Sequence, residues 1–442
     1  MRRLLTLVAL VALAVALREL AVPASQSVRA AMLLGFLLLA SYQAGGAAAS
    51  IGLPRVTGYV LVGIVVGPFA LGVLSPSMVA GLRTIDELAL ALIALTAGGE
   101  LKIGELRRSL RSIVGVTLGV YAVVVVGMFV VVLAVRPLIP GLAALPPEFA
   151  AAIALLLGIW AANSSPDATI AVINETGAEG NLTETILGVT ILKDVLVIIT
   201  LAAAIGFARP LVDPAASFDA ALFGRVAWEV GGALAVGAAA GFGFAVYLER
   251  IGARSVMATL VFTYILTLLA SGLHVELLLT AVSAGFVIEN GSKAGDELIH
   301  AIEANALVIF AIFFALAGAG LDLDALATFW AAAVAIVLVR GALTWLGARL
   351  GSAAVAGPPV TRRLAWQGLI SQAGVTLGLA LLVGREFPDW GDTFVAIATA
   401  VIIFHLLIGP VLLKLALVRS GEARAAGAAA RGAGRTARAR TP

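Results

Sequence analysis

No cysteine occurs in the 442 residues, so the chain has no disulfide, no thiolate metal site and no cysteine nucleophile. Histidine is scarce: His274, His300 and His405 are too few and too scattered for a metal centre. Charge is scarce as well. Asp, Glu, Lys and Arg make up 12% of the chain, where a soluble protein carries about a quarter. Hydrophobic residues reach 61% and the mean hydropathy is +1.08, which excludes a soluble enzyme and a disordered chain. The net charge of +3 does not point to nucleic acid, because the basic residues sit between apolar runs. No Walker-type Gly-Lys-Ser/Thr signature is present, so nothing calls for ATP, and no cofactor is implied.

What remains is long apolar runs. A membrane-crossing helix needs about 20 apolar residues. Fourteen candidate spans fall at 4–22, 28–50, 54–74, 85–103, 113–136, 148–174, 183–207, 221–248, 255–272, 276–290, 302–320, 328–350, 363–384 and 392–418. They are rich in Ala, Leu, Val and Gly, which suits close helix packing in lipid. The short alternating stretches of a transmembrane β-barrel do not occur. The expected fold is therefore an all-α polytopic membrane protein with 13 core helices, or 14 with the N-terminal span.

Residues 1–24 stand apart. Met1-Arg2-Arg3, an apolar run and Val22-Pro23-Ala24 are similar to a signal peptide, but Arg18 and Glu19 interrupt it. Cleavage and retention as an extra helix both fit. Residues 25–418 form the transmembrane domain. Residues 419–442, rich in Ala, Gly and Arg, read as a disordered basic tail that touches anionic membrane lipid. With the N-terminus cytoplasmic, the inner side holds 20 Lys and Arg and the outer side 7. That bias places the C-terminus in the cytoplasm and the chain in the cell's inner (plasma) membrane.

The spans divide into two blocks of six, about 28–207 and 255–418, joined by a linker helix at 221–248. The first block starts outside and the second inside, so they are inverted. In transporters built this way one helix breaks at the same place in each half, near the midplane. The fifth span of the first block carries Asn163-Ser164-Ser165-Pro166-Asp167, and that of the second carries Ser371-Gln372-Ala373-Gly374. Pro166 removes a backbone donor and frees a carbonyl. Freed carbonyls and half-helix ends bind ions. A structural kink explains one break. Two in register point to a substrate site.

Asp167, Lys193, Asp194 and Arg340 sit mid-span. Each costs roughly 2.5–3.5 kcal/mol at the bilayer centre on insertion scales, so they call for a polar cavity or mutual pairing. The bland reading is an ion-pair network that locks the bundle; the functional one is an ion path. A buried carboxylate takes a cation when ionised and a proton when neutral, and one site cannot hold both. Lys193, Asp194 and Arg340 alone sum to +1, and a like-charge contact at about 4 Å is worth about 4 kcal/mol at an effective dielectric of 20. Asp167 restores the balance and is expected to pair with Lys193 or Arg340. Glu175, Glu179, Asp296, Glu297 and Glu303 fall on inner loops, where they would concentrate cations.

Four stretches carry a family resemblance that runs from about Val28 to Val418. They are Leu53-Pro54-Arg55-Val56-Thr57-Gly58-Tyr59 running on to Gly63 and Gly67-Pro68; Gly98-Gly99-Glu100-Leu101; Phe313-Phe314-Ala315-Leu316-Ala317-Gly318; and Ser371-Gln372 with Gly374. Together they resemble the monovalent cation:proton antiporter-2 family, the Kef-type and Nap-type exchangers. The resemblance makes Asp194 the essential aspartate and Arg340 the conserved-type basic residue of the second block. Lys193 departs from the pattern, which has Asp, Asn or Gln there. The resemblance also implies a homodimer with a scaffold and a moving core.

The expected activity is exchange of Na⁺ or K⁺ for H⁺, with Asp194 as the site of cation and proton, assisted by Asp167, Ser164, Ser165 and Asn163. Lys193 and Arg340 compensate charge, and Ser371, Gln372 and Gly374 form the second broken helix. Two alternatives stay open. Lys193 and Arg340 near the breaks would also suit an anion or organic-acid carrier. A non-transporting membrane sensor with locked charges is the third reading.

Overall fold

The computed structural model describes residues 26–138, 143, 145–212, 220–251, 256–292, 295, 302 and 306–423. The expected N-terminal span, most of the basic tail, and Asp296, Glu297 and Glu303 lie outside the described residues. Among the described residues there is no strand. The helices are α1 (Gln26–Ser50), α2 (Arg55–Val66), α3 (Pro76–Gly81), α4 (Arg83–Gly99), α5 (Ile103–Val135), α6 (Pro147–Ala162), α7 (Pro166–Thr176) and α8 (Asn181–Val212). They continue with α9 (Ala220–Ile251), α10 (Val256–Leu273), α11 (Leu277–Gly291), α12 (Ala306–Ala319), α13 (Leu323–Ala354), α14 (Pro359–Gly368), α15 (Gly374–Glu386) and α16 (Pro388–Ser420).

Among the described residues six stretches are long and apolar enough to cross a membrane: Leu106–Val135, Pro147–Thr176, Asn181–Val212, Gly224–Arg250, Leu323–Ala354 and Pro388–Ser420. Four shorter apolar helices accompany them. The expected span at 54–74 is shorter than its apolar run. Pro68 disfavours helical backbone at the preceding residue, and Gly67 is extended (φ −66°, ψ 172°), so α2 stops at Val66. The C-terminal helix in turn runs past the expected boundary at 418, to Ser420.

Both expected interruptions are present. The 148–174 span divides into α6 and α7, with extended backbone at Asn163 (φ −64°, ψ 155°) and Ser165 (φ −75°, ψ 120°). Pro166 starts α7, where its missing N–H costs nothing, and the Ser165 hydroxyl caps Ala168 N. The 363–384 span divides into α14 and α15, separated by residues 369–373.

Small residues let the helices approach. Gly115 and Gly119 on α5 face Gly347 and Gly351 on α13; a Cβ at Gly119 would lie 2.5 Å from Gly347 O, and one at Gly347 2.6 Å from Val120 Cα. These are two Gly-x-x-x-Gly faces, which pack backbone against backbone in lipid. Around them α6, α8, α14 and α16 close on the interruptions, while α2 packs on α12 and α4 on α11.

The segment after α16 folds back onto the bundle. Gly421 takes the left-handed conformation that ends the helix (φ 80°), and Glu422 then reaches the start of α8. Its carboxylate accepts from Leu182 N at 2.9 Å, Thr183 N at 2.8 Å and Thr183 Oγ1 at 2.7 Å. It supplies the cap and the negative charge that a helix N-terminus favours.

Candidate functional site

The candidate site lies where the two interruptions cross. Ser165 N donates to Ser371 O at 2.8 Å, so the backbone of one break closes on that of the other. Side chains add to the link. Trp160 Nε1 donates to Thr376 O at 2.9 Å, and Asn163 Nδ2 to Thr376 Oγ1 at 3.1 Å.

Breaking two helices frees carbonyls at the C-terminal ends of α6 and α14, where the helix dipoles are also negative. Arg340, fully buried on α13, meets this need. Its Nε donates to Ala161 O (2.6 Å), Nη1 to Ile370 O (2.8 Å), and Nη2 to Asn163 O (2.5 Å) and Leu369 O (3.2 Å). The remaining Nη1 hydrogen faces His405 Nε2 at 3.4 Å. All five guanidinium hydrogens thus have a partner. Hydrogen bonds to a charged group contribute about 1.5–3 kcal/mol each, which offsets the burial of the charge.

Lys193 is fully buried on α8 and donates to Ser164 Oγ at 2.5 Å. Ser164 Oγ passes the bond on to Leu369 O at 2.7 Å. Asp167, in the first turn of α7, accepts from Ser165 Oγ at 3.1 Å. The expected pairing of Asp167 with Lys193 or Arg340 is therefore corrected. Arg340 has spent its donors on carbonyls, Lys193 points to Ser164, and Asp167 is held by its own capping serine.

Asp194, also on α8, is 3% exposed and lies close to Asn163. The two carboxylates and that amide share one property. Asp167 Oδ1, Asp194 Oδ1 and Asn163 Oδ1 are all buried without a hydrogen-bond partner. Buried oxygens are normally satisfied, and an orphan calls for an explanation such as an ion. The serine hydroxyls behave differently: Ser164 and Ser165 each donate one hydrogen bond and accept another. They act as connectors. Gly374 starts α15 with open space where a Cβ would stand, and Ser371 supplies the carbonyl that meets Ser165. Gln372 Nε2 faces the carbonyls of Trp160 and Asn163 at 3.5 Å each. Among the described residues no three His, Cys, Asp or Glu side chains converge as a metal centre does.

A cavity of about 1440 Å³ opens near the C-terminal end of α7 and reaches Ala171, one turn from Asp167. Glu175 and Glu179 line it, but Glu175 is engaged: Arg55 N donates to it at 2.6 Å and Lys414 Nζ at 3.2 Å.

Sequence reasoning missed three parts of the site. The Leu369 and Ile370 carbonyls carry no residue-type signal. His405 does: a lone ionisable side chain inside an apolar span is a functional candidate by itself. Glu276 caps α11 through Leu279 N and lies near enough to Asp194 and Asp167 to interact electrostatically. It is the first residue of the expected 276–290 span, where no break or motif marks it.

Residues 34–419 match the family model described as "Sodium/hydrogen exchanger, transmembrane". The chain belongs to this family of transporters and is a multi-pass membrane protein. It is similar to the "Probable Na(+)/H(+) antiporter GerT" of Bacillus cereus, with 29% identity over 172 residues. That match spans 39% of this chain and 42% of the relative. Two solved structures of the sodium proton antiporter MjNhaP1 from Methanocaldococcus jannaschii share the fold. One, at pH 8, has a TM-score of 0.65 and covers 89% of this chain and 96% of its own, at 18% identity. The other, an EM map, has a TM-score of 0.66 and covers 90% and 99%, also at 18% identity. The family finding covers sodium/hydrogen exchangers; the Kef-type branch that the motifs resemble is a different branch of the cation:proton antiporters.

Proposed function

We propose that the chain exchanges Na⁺ or K⁺ for H⁺ by alternating access, with Asp194 taking cation or proton in competition. The observation that carries this reading is the set of three orphaned oxygens, on Asp194, Asp167 and Asn163, at the crossing of two broken helices. Hard oxygen ligands of this kind suit a monovalent cation. With Lys193 and Arg340 held as fixed cations and both aspartates ionised, the four charges sum to zero. Binding one cation, or one proton, brings the same site to +1. Exchange is then one for one and electroneutral.

Two inverted six-helix repeats supply the moving parts. The packing pairs support them: α2 on α12 mirrors α4 on α11, α5–α6 mirrors α13–α14, and α5–α8 mirrors α13–α16. The membrane topology is the one that the Lys and Arg bias indicates, with 13 core spans and the C-terminus cytoplasmic in the plasma membrane. The cavity beside α7 is then the cytoplasmic approach. The chain works as a homodimer, as the resemblance implies. The anion-carrier reading is weaker, because Arg340 has no donor left for a substrate carboxylate.

The test is reconstitution into proteoliposomes with a trapped pH dye. Na⁺ or K⁺ added outside should drive proton efflux in the parent chain. A carboxylate-dependent signal without a cation-dependent one would instead favour the anion carrier.

A further inference from the structure

The exchange mechanism leaves His405 without a role, although it is fully buried in the middle of α16. Its ring lies between two residues of the crossing. Nε2 is 3.4 Å from Arg340 Nη1, and Nδ1 is 2.7 Å from Gln372 Oε1. A guanidinium only donates, so Nε2 must present its lone pair. The Gln372 amide nitrogen faces two carbonyls, which turns its oxygen toward the histidine. An amide oxygen only accepts, so Nδ1 must carry the hydrogen. Both neighbours demand the same neutral tautomer.

The surroundings fix the ring in place. Gly409, one turn further along the same face of α16, lies against the second break, where a Cβ would stand 2.6 Å from Ser371 Cα. Helix α16 therefore presses on residues 371–372 along His405 and Gly409. Removing the imidazole would strand the fifth Arg340 hydrogen and the Gln372 oxygen together.

We propose that His405 is a positioning residue of the ion site: as the neutral Nδ1–H tautomer it couples the Arg340 guanidinium to the Gln372 side chain and so holds both broken helices in register. It does not touch the transported ion. Its functional effect rests on the exchange reading; its tautomer does not.

The first measurement is NMR of the purified full chain labelled at its three histidines, with the buried signal assigned by its loss in His405→Gln. A protonated Nδ1 with an unprotonated Nε2 is expected. A protonated Nε2, in a neutral or a charged ring, overturns the proposal. The second is cation-driven proton flux in proteoliposomes. Glutamine can accept from Arg340 and donate to Gln372, so His405→Gln should keep the rate within about threefold, since a hydrogen bond is replaced by another. His405→Leu should lower it about 10–100-fold, the range by which removing outer-shell partners weakens ion sites. Parent-like flux in His405→Leu, or equal loss in both folded variants, also overturns the proposal. If the parent chain moves neither Na⁺ nor K⁺, the exchange reading fails while the tautomer still decides this one.

Discussion

The backbone nitrogen of Ser165 donates to the backbone oxygen of Ser371 at 2.8 Å, a direct bond between helices interrupted some two hundred residues apart in the chain. Neither break can shift without straining the other. Arg340 strengthens the tie by donating to carbonyls of both: Ala161 and Asn163 on one side, Leu369 and Ile370 on the other. The crossing is therefore one mechanical unit, and the two aspartates beside it share its geometry.

Asp194→Asn should abolish exchange while the protein still folds, because an amide cannot take up and release the proton. Asp167→Asn should impair exchange less completely, since it removes one ligand oxygen and one negative charge but leaves the titrating group. Cation-driven proton flux, with size-exclusion elution as the check on folding, reads both. Normal flux in Asp194→Asn would rule the mechanism out.

Lys193→Gln should keep exchange and tighten the cation. The glutamine amide still donates to Ser164, while a fixed positive charge beside Asp194 is lost. The apparent cation KM should fall roughly tenfold, equivalent to about 1.4 kcal/mol of repulsion removed. An unchanged or higher KM would show that Lys193 does not oppose the cation. In the parent chain, an imposed membrane potential should leave the end-point of exchange in place; a potential-dependent end-point would show that Lys193 also gives up its proton.

Arg340→Leu should destabilise the fold severely. It takes the guanidinium from four carbonyls; Leu369 O keeps Ser164 Oγ and Asn163 O keeps Gln372 Nε2, but those of Ala161 and Ile370 are stranded, each at a cost of about 1–3 kcal/mol. Arg340→Lys retains the charge with three donors in place of five, so it should melt between the parent and the leucine variant. Thermal unfolding in detergent gives the order, and a leucine variant as stable as the parent would contradict the role assigned to the guanidinium.

Glu422→Ala should lower stability by about 1 kcal/mol, the usual cost of removing a helix cap, with exchange otherwise intact. Glu422→Gln, which can still accept, should lose less. Equal melting of all three chains would mean that the contact with α8 contributes nothing in solution.

The chain's membrane character, its run of apolar helices and the positions of both interruptions could be read from the amino acids alone. Hydropathy reports directly on burial in lipid, and Pro166 and the Ser371–Gly374 stretch break a helix wherever they fall. Asp194 and Arg340 were visible for a related reason: a charge in an apolar run has a cost that demands a use. The pairing of those charges was decided only by the tertiary structure. Charge balance suggested Asp167 as partner to Lys193 or Arg340, because a sequence lists side-chain charges and omits backbone carbonyls. The folded chain brings freed carbonyls of α6 and α14 to Arg340, Ser164 to Lys193, and Ser165 to Asp167. It also brings His405 from α16 to Gln372, across 33 residues that carry no local signal of the contact. Periodicity and composition determine which segments are helices and where they break; which donor meets which acceptor depends on how those helices cross, and that exists only in three dimensions.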